Sequence, residues 1–236
     1  MNTLVLTLSL ALVAGMSIPA GALVSSRVSL RSICFQHDID SFVSYFGGGA
    51  LLAAIALVLL PYGIQHVSVL SASFAFLIGG LVFWKLDARL KRTGSTAAQF
   101  IGMLLDFVPE AILLGAAAVT GSSVVYLLAG MIALQNMPEG FASYHEMHQS
   151  AGSNRRLWLM FLIVPLVGPI AAWIGFFWLS TSTAIIGVVM LFCSGGILYL
   201  IFDDIAPRAY LKHHDFPAIG AVSGFLLGLV GTMLIH

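Results

Sequence analysis

The sequence predicts an all-α polytopic membrane protein, a single domain over residues 1–236 built from eight transmembrane helices. Three observations carry that expectation. Hydrophobic residues make up 59% of the chain and charged residues 8%, with a mean hydropathy of +1.01, whereas a soluble domain is about 25% charged. Apolar runs of roughly 20 residues, the length that crosses ~30 Å of hydrocarbon, recur along the whole chain. All ten Lys and Arg residues fall in or beside alternate connections between those runs.

Taken in order, the first span covers about Thr3 to Val24, with Pro19 near its end. It does not read as a signal peptide, because no Lys or Arg precedes the apolar run, and Arg27 and Arg31 follow it. A loop through Asp38 and Asp40 is expected next, then a second span from about Phe42 to Ile64 that contains Gly47-Gly48-Gly49 and ends near Pro61. The third span runs from about Val67 to Trp84, the fourth from about Thr96 to Val119 and the fifth from about Val124 to Tyr144. The sixth covers about Leu157 to Leu179, the seventh about Thr183 to Ile205, and the eighth about Phe216 to Ile235. Glycines recur as Gly79-Gly80, as Gly195-Gly196 and in the series Gly220, Gly224, Gly228. Such spacing lets helix backbones approach closely, and ordinary tight packing is the expected role.

Orientation follows from charge. The basic residues group as Arg27 and Arg31; Lys85, Arg89, Lys91 and Arg92; Arg155 and Arg156; Arg208 and Lys212. The connections between spans 2 and 3, 4 and 5, and 6 and 7 carry none. The positive-inside rule then places the basic connections in the cytoplasm and both termini outside. Cys34 and Cys193 suggest neither a disulfide framework nor a thiolate metal site.

The chemistry concentrates between Asp106 and Gly140. Asp106-Phe107-Val108-Pro109-Glu110-Ala111 and Gln135-Asn136-Met137-Pro138-Glu139-Gly140 are two versions of one phrase, 29 residues apart, on spans 4 and 5. Each sets a polar residue four positions before a glutamate, so the two side chains share a helix face. Each has a proline just ahead of the glutamate, which deprives a carbonyl in the preceding turn of its donor. In hydrocarbon such a defect persists only against protein or a water-filled cavity. An acid near the bilayer centre costs about 2.5 kcal/mol or more, and no Lys or Arg lies at similar depth to pair with Asp106, Glu110 and Glu139. Acids at matched depth on two bent helices point to a cation site. Asp203 and Asp204 near the inner end of span 7 are either a receiving point for that cation or a solvated helix end. His145 and His148, flanking Glu146, have a helical spacing that would serve as a landing point for metal or as a solvated interface.

These residues resemble the ZIP (Zrt/Irt-like) divalent metal transporters, especially the short prokaryotic members, which have eight spans with both termini outside. In that family the fourth and fifth helices carry motifs of the form His-Asn-x-Pro-Glu-Gly and His/Gln-Asn/Asp-x-Pro-Glu-Gly. Gln135-Asn136-Met137-Pro138-Glu139-Gly140 matches the fifth-helix form closely, whereas the first phrase matches only at Pro109 and Glu110. Phe46-Gly47-Gly48-Gly49 through Leu60-Pro61 looks like the family's second helix. Ser194-Gly195-Gly196 through Asp203-Asp204-Ile205-Ala206-Pro207 looks like its seventh. The departures are specific. Asp106 stands where the family has a metal-binding histidine, and Phe107 stands where it commonly has asparagine. Gly168 stands where many prokaryotic members have a glutamate that completes a second metal site. The resemblance with these departures implies a mononuclear site.

Read from its donors, the site offers carboxylates from Asp106, Glu110 and Glu139, a carbonyl oxygen from Gln135 and a further one from Asn136. An all-oxygen shell favours Mn²⁺ or Fe²⁺, and Zn²⁺ also accepts carboxylates. The expectation is a transporter, not an enzyme, moving a divalent transition metal (Zn, Mn, Fe or Cd class) into the cytoplasm, with Asp203, Asp204, His145 and His148 on the inner exit path. The metal is cargo and no tightly bound cofactor is expected. The expected partners are the ion and the lipid bilayer, with room for a homodimer and no nucleic acid. The resemblance implies a bacterial inner membrane. The alternatives are a cation or proton channel, a family member that binds metal without transporting it, and, weakest, an intramembrane metallohydrolase, for which no His-Glu-x-x-His pair is present.

Overall fold

The computed structural model describes residues 3–28, 33–93, 96–118, 122–151, 155–179, 182–206 and 216–235, and the side chains of Asp106 and Asp204 lie outside the described set. So do Arg31, Arg208 and Lys212 of the basic groups. Among the described residues the chain forms eight helical rods. The first is α1 (Thr3–Val28). The second is α2 (Ile33–Ala54), which passes through a π-helical turn (Ile55–Leu59) into α3 (Leu60–His66). Then come α4 (Val69–Thr93), α5 (Thr96–Ala117), α6 (Ser122–Ala151), α7 (Arg155–Ile174) with a terminal π turn (Gly175–Leu179), α8 (Thr183–Leu200) with a π turn (Ile201–Ile205), and α9 (Phe216–Ile235). Five of these helices are long and apolar enough to cross a membrane, and Phe107–Ala117 and Ala218–Leu234 are shorter apolar helices. This is an all-α membrane protein.

Several rods outrun the apolar windows that announce them. The expected loop through Asp38 and Asp40 is helical, and α4 and α6 continue to Thr93 and Ala151. Hydropathy marks where hydrocarbon ends, not where backbone hydrogen bonding ends, so polar extensions of a spanning helix are invisible to it.

The rods alternate in direction, as their contacts show. α1 runs parallel to α6, with Ala14 against Asn136, Ile18 against Gly140 and Gly21 against Phe141. It runs antiparallel to α7, with Gly15 on Pro165 and Ala11 on Gly168. α5 is parallel to α7 through Phe107–Gly168 and Ala116–Gly175. α2 is parallel to α9 through Phe42–Gly220 and Phe46–Gly224, and α9 is antiparallel to α6 through Gly228–Met131 and Gly231–Leu127. α3 is antiparallel to α8 through Gly63–Leu191 and Val67–Gly187, and α4 is parallel to α8 through Gly79–Phe192 and Phe83–Gly196. The first, third, fifth and seventh rods therefore point one way and the other four point back.

Each of the four parallel pairs meets at a reciprocal glycine crossing. A Cβ on Gly21 would overlap the Met137 carbonyl oxygen, and one on Gly140 would overlap that of Ile18. The same exchange joins Gly49 with Ala221 and Gly224 with Phe46, Gly79 with Phe192 and Gly195 with Phe76, and Gly115 with Ala172 and Gly175 with Ile112. Without a hydrophobic force between helices in lipid, backbone contact of this kind supplies the dispersion and Cα–H···O attraction that holds them.

The halves are related as an inverted repeat. Exchanging the first three rods with the last three, and the fourth with the fifth, maps the α1–α6 packing onto α7–α5 and the α2–α9 packing onto α8–α4. The second and seventh rods repeat the same marks. From Gly49, a π turn begins six residues on at Ile55 and Pro61 follows at twelve; from Gly195, the π turn begins at Ile201 and Pro207 follows. The exchange brings α5 and α6, with their related phrases, together between the halves.

Candidate functional site

Pro109 and Pro138 lie inside unbroken helices, α5 and α6. Each removes the N–H that would bond the carbonyl four residues earlier, on Leu105 and on Leu134. On α6 neighbouring helices close over the defect. Pro138 packs against Gly47 of α2, where an added Cβ would lie 2.9 Å from the proline ring, and Gly140 takes the carbonyl of Ile18 on α1. The Pro-Glu-Gly of this phrase thus has three jobs. The proline meets α2, the glycine admits α1, and the glutamate between them shares its face with Gln135.

Glu110, Gln135 and Asn136 are buried, at 5%, 1% and 0% exposure. Gln135 donates its Nε2 hydrogen to Glu110 Oε1, joining α6 to α5. Glu139 lies close enough for its carboxyl and that of Glu110 to act on each other electrostatically. Asn136, one residue from Gln135 and so about 100° around the helix, turns toward α1 and donates from Nδ2 to the Ala14 carbonyl at 3.3 Å. Three oxygens here, Gln135 Oε1, Asn136 Oδ1 and Glu139 Oε2, are buried and accept no hydrogen bond from the described residues. Buried acceptors left in that condition cost about 1–3 kcal/mol each unless a proton, water or cation meets them.

Of the residues expected to bind metal, the structure brings together Glu110, Gln135 and Glu139, and it sets Asn136 on the adjacent α1-facing side. Asp106 belongs to α5, one turn before Glu110, and its side chain lies outside the described residues. Among the described residues, no group of three or more His, Cys, Asp or Glu side chains is gathered closely enough to share an ion. The donors that are gathered are two carboxylates with amide oxygens.

Phe107 is fully buried, and its ring edge fills the space beside two glycines. A Cβ would come within 2.9 Å of Phe107 Cζ at Gly15 and within 2.7 Å at Gly168. The ring therefore wedges between α1 and α7, in space that a side chain at either glycine would need.

Asp203 lies in the π turn that ends the seventh rod, where it accepts from Lys91 of α4. Lys91 also lies 3.0 Å from Asp87, and the Tyr199 hydroxyl donates to Asp87 at 3.1 Å. A cation arriving at Asp203 meets an ammonium already there. Asp204 is outside the described side chains. His148 stacks on Tyr144, with ring centroids 5.7 Å apart. Tyr144 in turn packs on Trp158 and Phe161 of α7, which makes this histidine part of an aromatic seam. His145 and Glu146 are half-buried on the same helix.

Sequence reasoning missed Cys193. It is buried on α8 and within electrostatic reach of Glu110. No spacing rule could find it, because α8 is brought to α5 only by the tertiary packing. No protein-family model matches the chain, and no curated protein matches it.

Proposed function

We propose that this protein is a carrier that moves a divalent transition-metal cation across a membrane into the cytoplasm, through a site between α5 and α6, in the manner of a ZIP-like transporter. The observation that carries the reading is the set of buried oxygens on Gln135, Asn136 and Glu139, unpartnered among the described residues, beside the Glu110 carboxylate. Acceptors of that kind, on proline-containing helices inside an apolar bundle, are the surroundings a dehydrated cation requires. Oxygen donors suit Mn²⁺, Fe²⁺ or Zn²⁺.

Eight spans with both termini outside fit two independent features, the alternation of rod direction and the confinement of all ten basic residues to alternate connections. The Phe107 ring leaves no room for a further donor at Gly168, and this supports one ion per molecule.

The test is accumulation of Zn²⁺, Mn²⁺, Fe²⁺ and Cd²⁺ in cells expressing the chain. Saturable uptake that Glu139→Ala abolishes is expected. Uptake rising linearly with concentration would favour a channel, and no uptake of any of the four would overturn transport.

A further inference from the structure

We infer that Gln135 is the charge-selecting residue of this site, an internal amide donor that a cation must displace from Glu110 and whose own oxygen then joins the cation. The inference rests on the reading of the site as a cation carrier's, and it assigns to Gln135 a part that a simple ligand would not have.

The argument starts from the two ends of one amide. The Nε2 end donates to Glu110 Oε1, while the Oε1 end is buried and accepts nothing from the described residues. The side chain is 1% exposed, so bulk water does not complete the missing bond. An ion approaching Glu110 finds its carboxylate already holding an amide N–H, and the oxygen of that amide, which would suit the ion, points elsewhere. The amide's terminal torsion is broad and nearly two-fold, and its two ends have almost the same shape. A half-turn therefore exchanges donor for acceptor without repacking the neighbours. It withdraws the N–H from Glu110 and offers Oε1 to the same point. Asn136 faces a different neighbour, since its Nδ2 donates to the Ala14 carbonyl on α1 and not to Glu110.

The exchange sets a threshold on charge. A hydrogen bond to an ionised carboxylate is among the stronger kinds. A monovalent ion gains half the Coulomb energy of a divalent one at the same distance, so it displaces the amide far less readily. Selectivity for divalent over monovalent cations then comes from what must be broken as much as from what is made.

The experiment uses the full chain in lipid nanodiscs, labelled with ¹³C-amide glutamine, and infrared difference spectra recorded on adding Zn²⁺, Mn²⁺ or excess Na⁺. Zn²⁺ and Mn²⁺ should shift one glutamine carbonyl band, absent in both Gln135→Met and Gln135→Glu, and Na⁺ should shift none. In Gln135→Met, the Na⁺ concentration that displaces half the bound Mn²⁺ should fall by about ten- to a hundredfold, the equivalent of one hydrogen bond to a charged group. Bound metal with no glutamine band, or an unchanged Na⁺ requirement in Gln135→Met, overturns the exchange and leaves transport standing. Failure of the wild-type protein to bind either metal overturns both.

Discussion

Gly140→Ala tests whether the second phrase is shaped by helix contact as well as by ion binding, and its neighbour Gly130 supplies the control. A methyl at position 140 would lie 2.8 Å from Ile18 Cα and would overlap the Ile18 carbonyl oxygen. Carbon atoms in contact prefer about 3.5–4.0 Å, so α1 has to withdraw by about 1 Å. Backbone cannot rotate away as a side chain can, and overpacking of this sort costs about 1–3 kcal/mol. At about 2–4 °C per kcal/mol for a chain of this size, a mid-range cost lowers Tm by about 4–8 °C. Gly130 is on the same helix, and beyond that helix's own backbone no atom of the described residues lies within 4 Å of the position a methyl would take. Alanine there should leave Tm unchanged or raise it slightly, by the helix preference of up to ~1 kcal/mol. Circular-dichroism melts of the two purified variants in one detergent make the comparison. The withdrawal should also stretch the Asn136–Ala14 hydrogen bond and lower metal uptake in Gly140→Ala alone. Equal melting temperatures for the two variants would refute the crossing.

Asp106→His should let Zn²⁺ compete better against Mn²⁺ in uptake and make uptake sensitive to pH near about 6.5, the unperturbed histidine value; normal uptake with unchanged metal ranking in Asp106→Asn would remove Asp106 from the ligands. Purified wild-type protein should hold one ion by metal analysis, and two ions about 4 Å apart in an anomalous map would contradict the Phe107 wedge. Phe107→Ala should cost about 3–5 kcal/mol in stability, read as a lower melting temperature. Lys91→Met should cost no more than about 1 kcal/mol, since the ammonium and Asp203 are 50% and 37% exposed, and a larger loss would mean that the α4–α8 ion cluster holds the fold. Cysteines placed at Ser95 and Ser122 should be labelled from opposite faces of the membrane, and labelling of both from one face would break the eight-span topology.

The helices were legible because hydropathy and length report burial in hydrocarbon directly. The extensions at Asp38, Thr93 and Ala151 were not, because polar residues outside the hydrocarbon keep no apolar signature while their backbone stays helical. The pairing of Glu110 with Gln135 could be anticipated from the repeated phrase, which places both on the faces of two proline-containing helices that meet. That Asn136 serves α1 was hidden, since adjacent residues on a helix diverge by about 100° and only the position of Ala14 decides which neighbour each one meets. That Cys193 comes within electrostatic reach of Glu110 was likewise a product of tertiary packing, since the two are 83 residues apart in the chain.

The glycines tie these observations into one argument. Gly140 looks from sequence like part of an ion-binding phrase, yet its place in the structure is against a carbonyl of α1. Gly47 likewise meets Pro138, the residue just ahead of Glu139 on α6. The residues flanking Glu139 are thus fixed by the two helices on either side of it, and Glu139 and Gln135 occupy the face those helices leave over, toward α5. A glutamate directed inward by backbone contacts on both flanks has little freedom to swing to the lipid. The same contacts exclude side chains that could hydrogen-bond it, since glycine and proline carry none. The oxygens that no described residue meets at this point follow from the packing that places them, and a proton, a water or a metal ion would meet them.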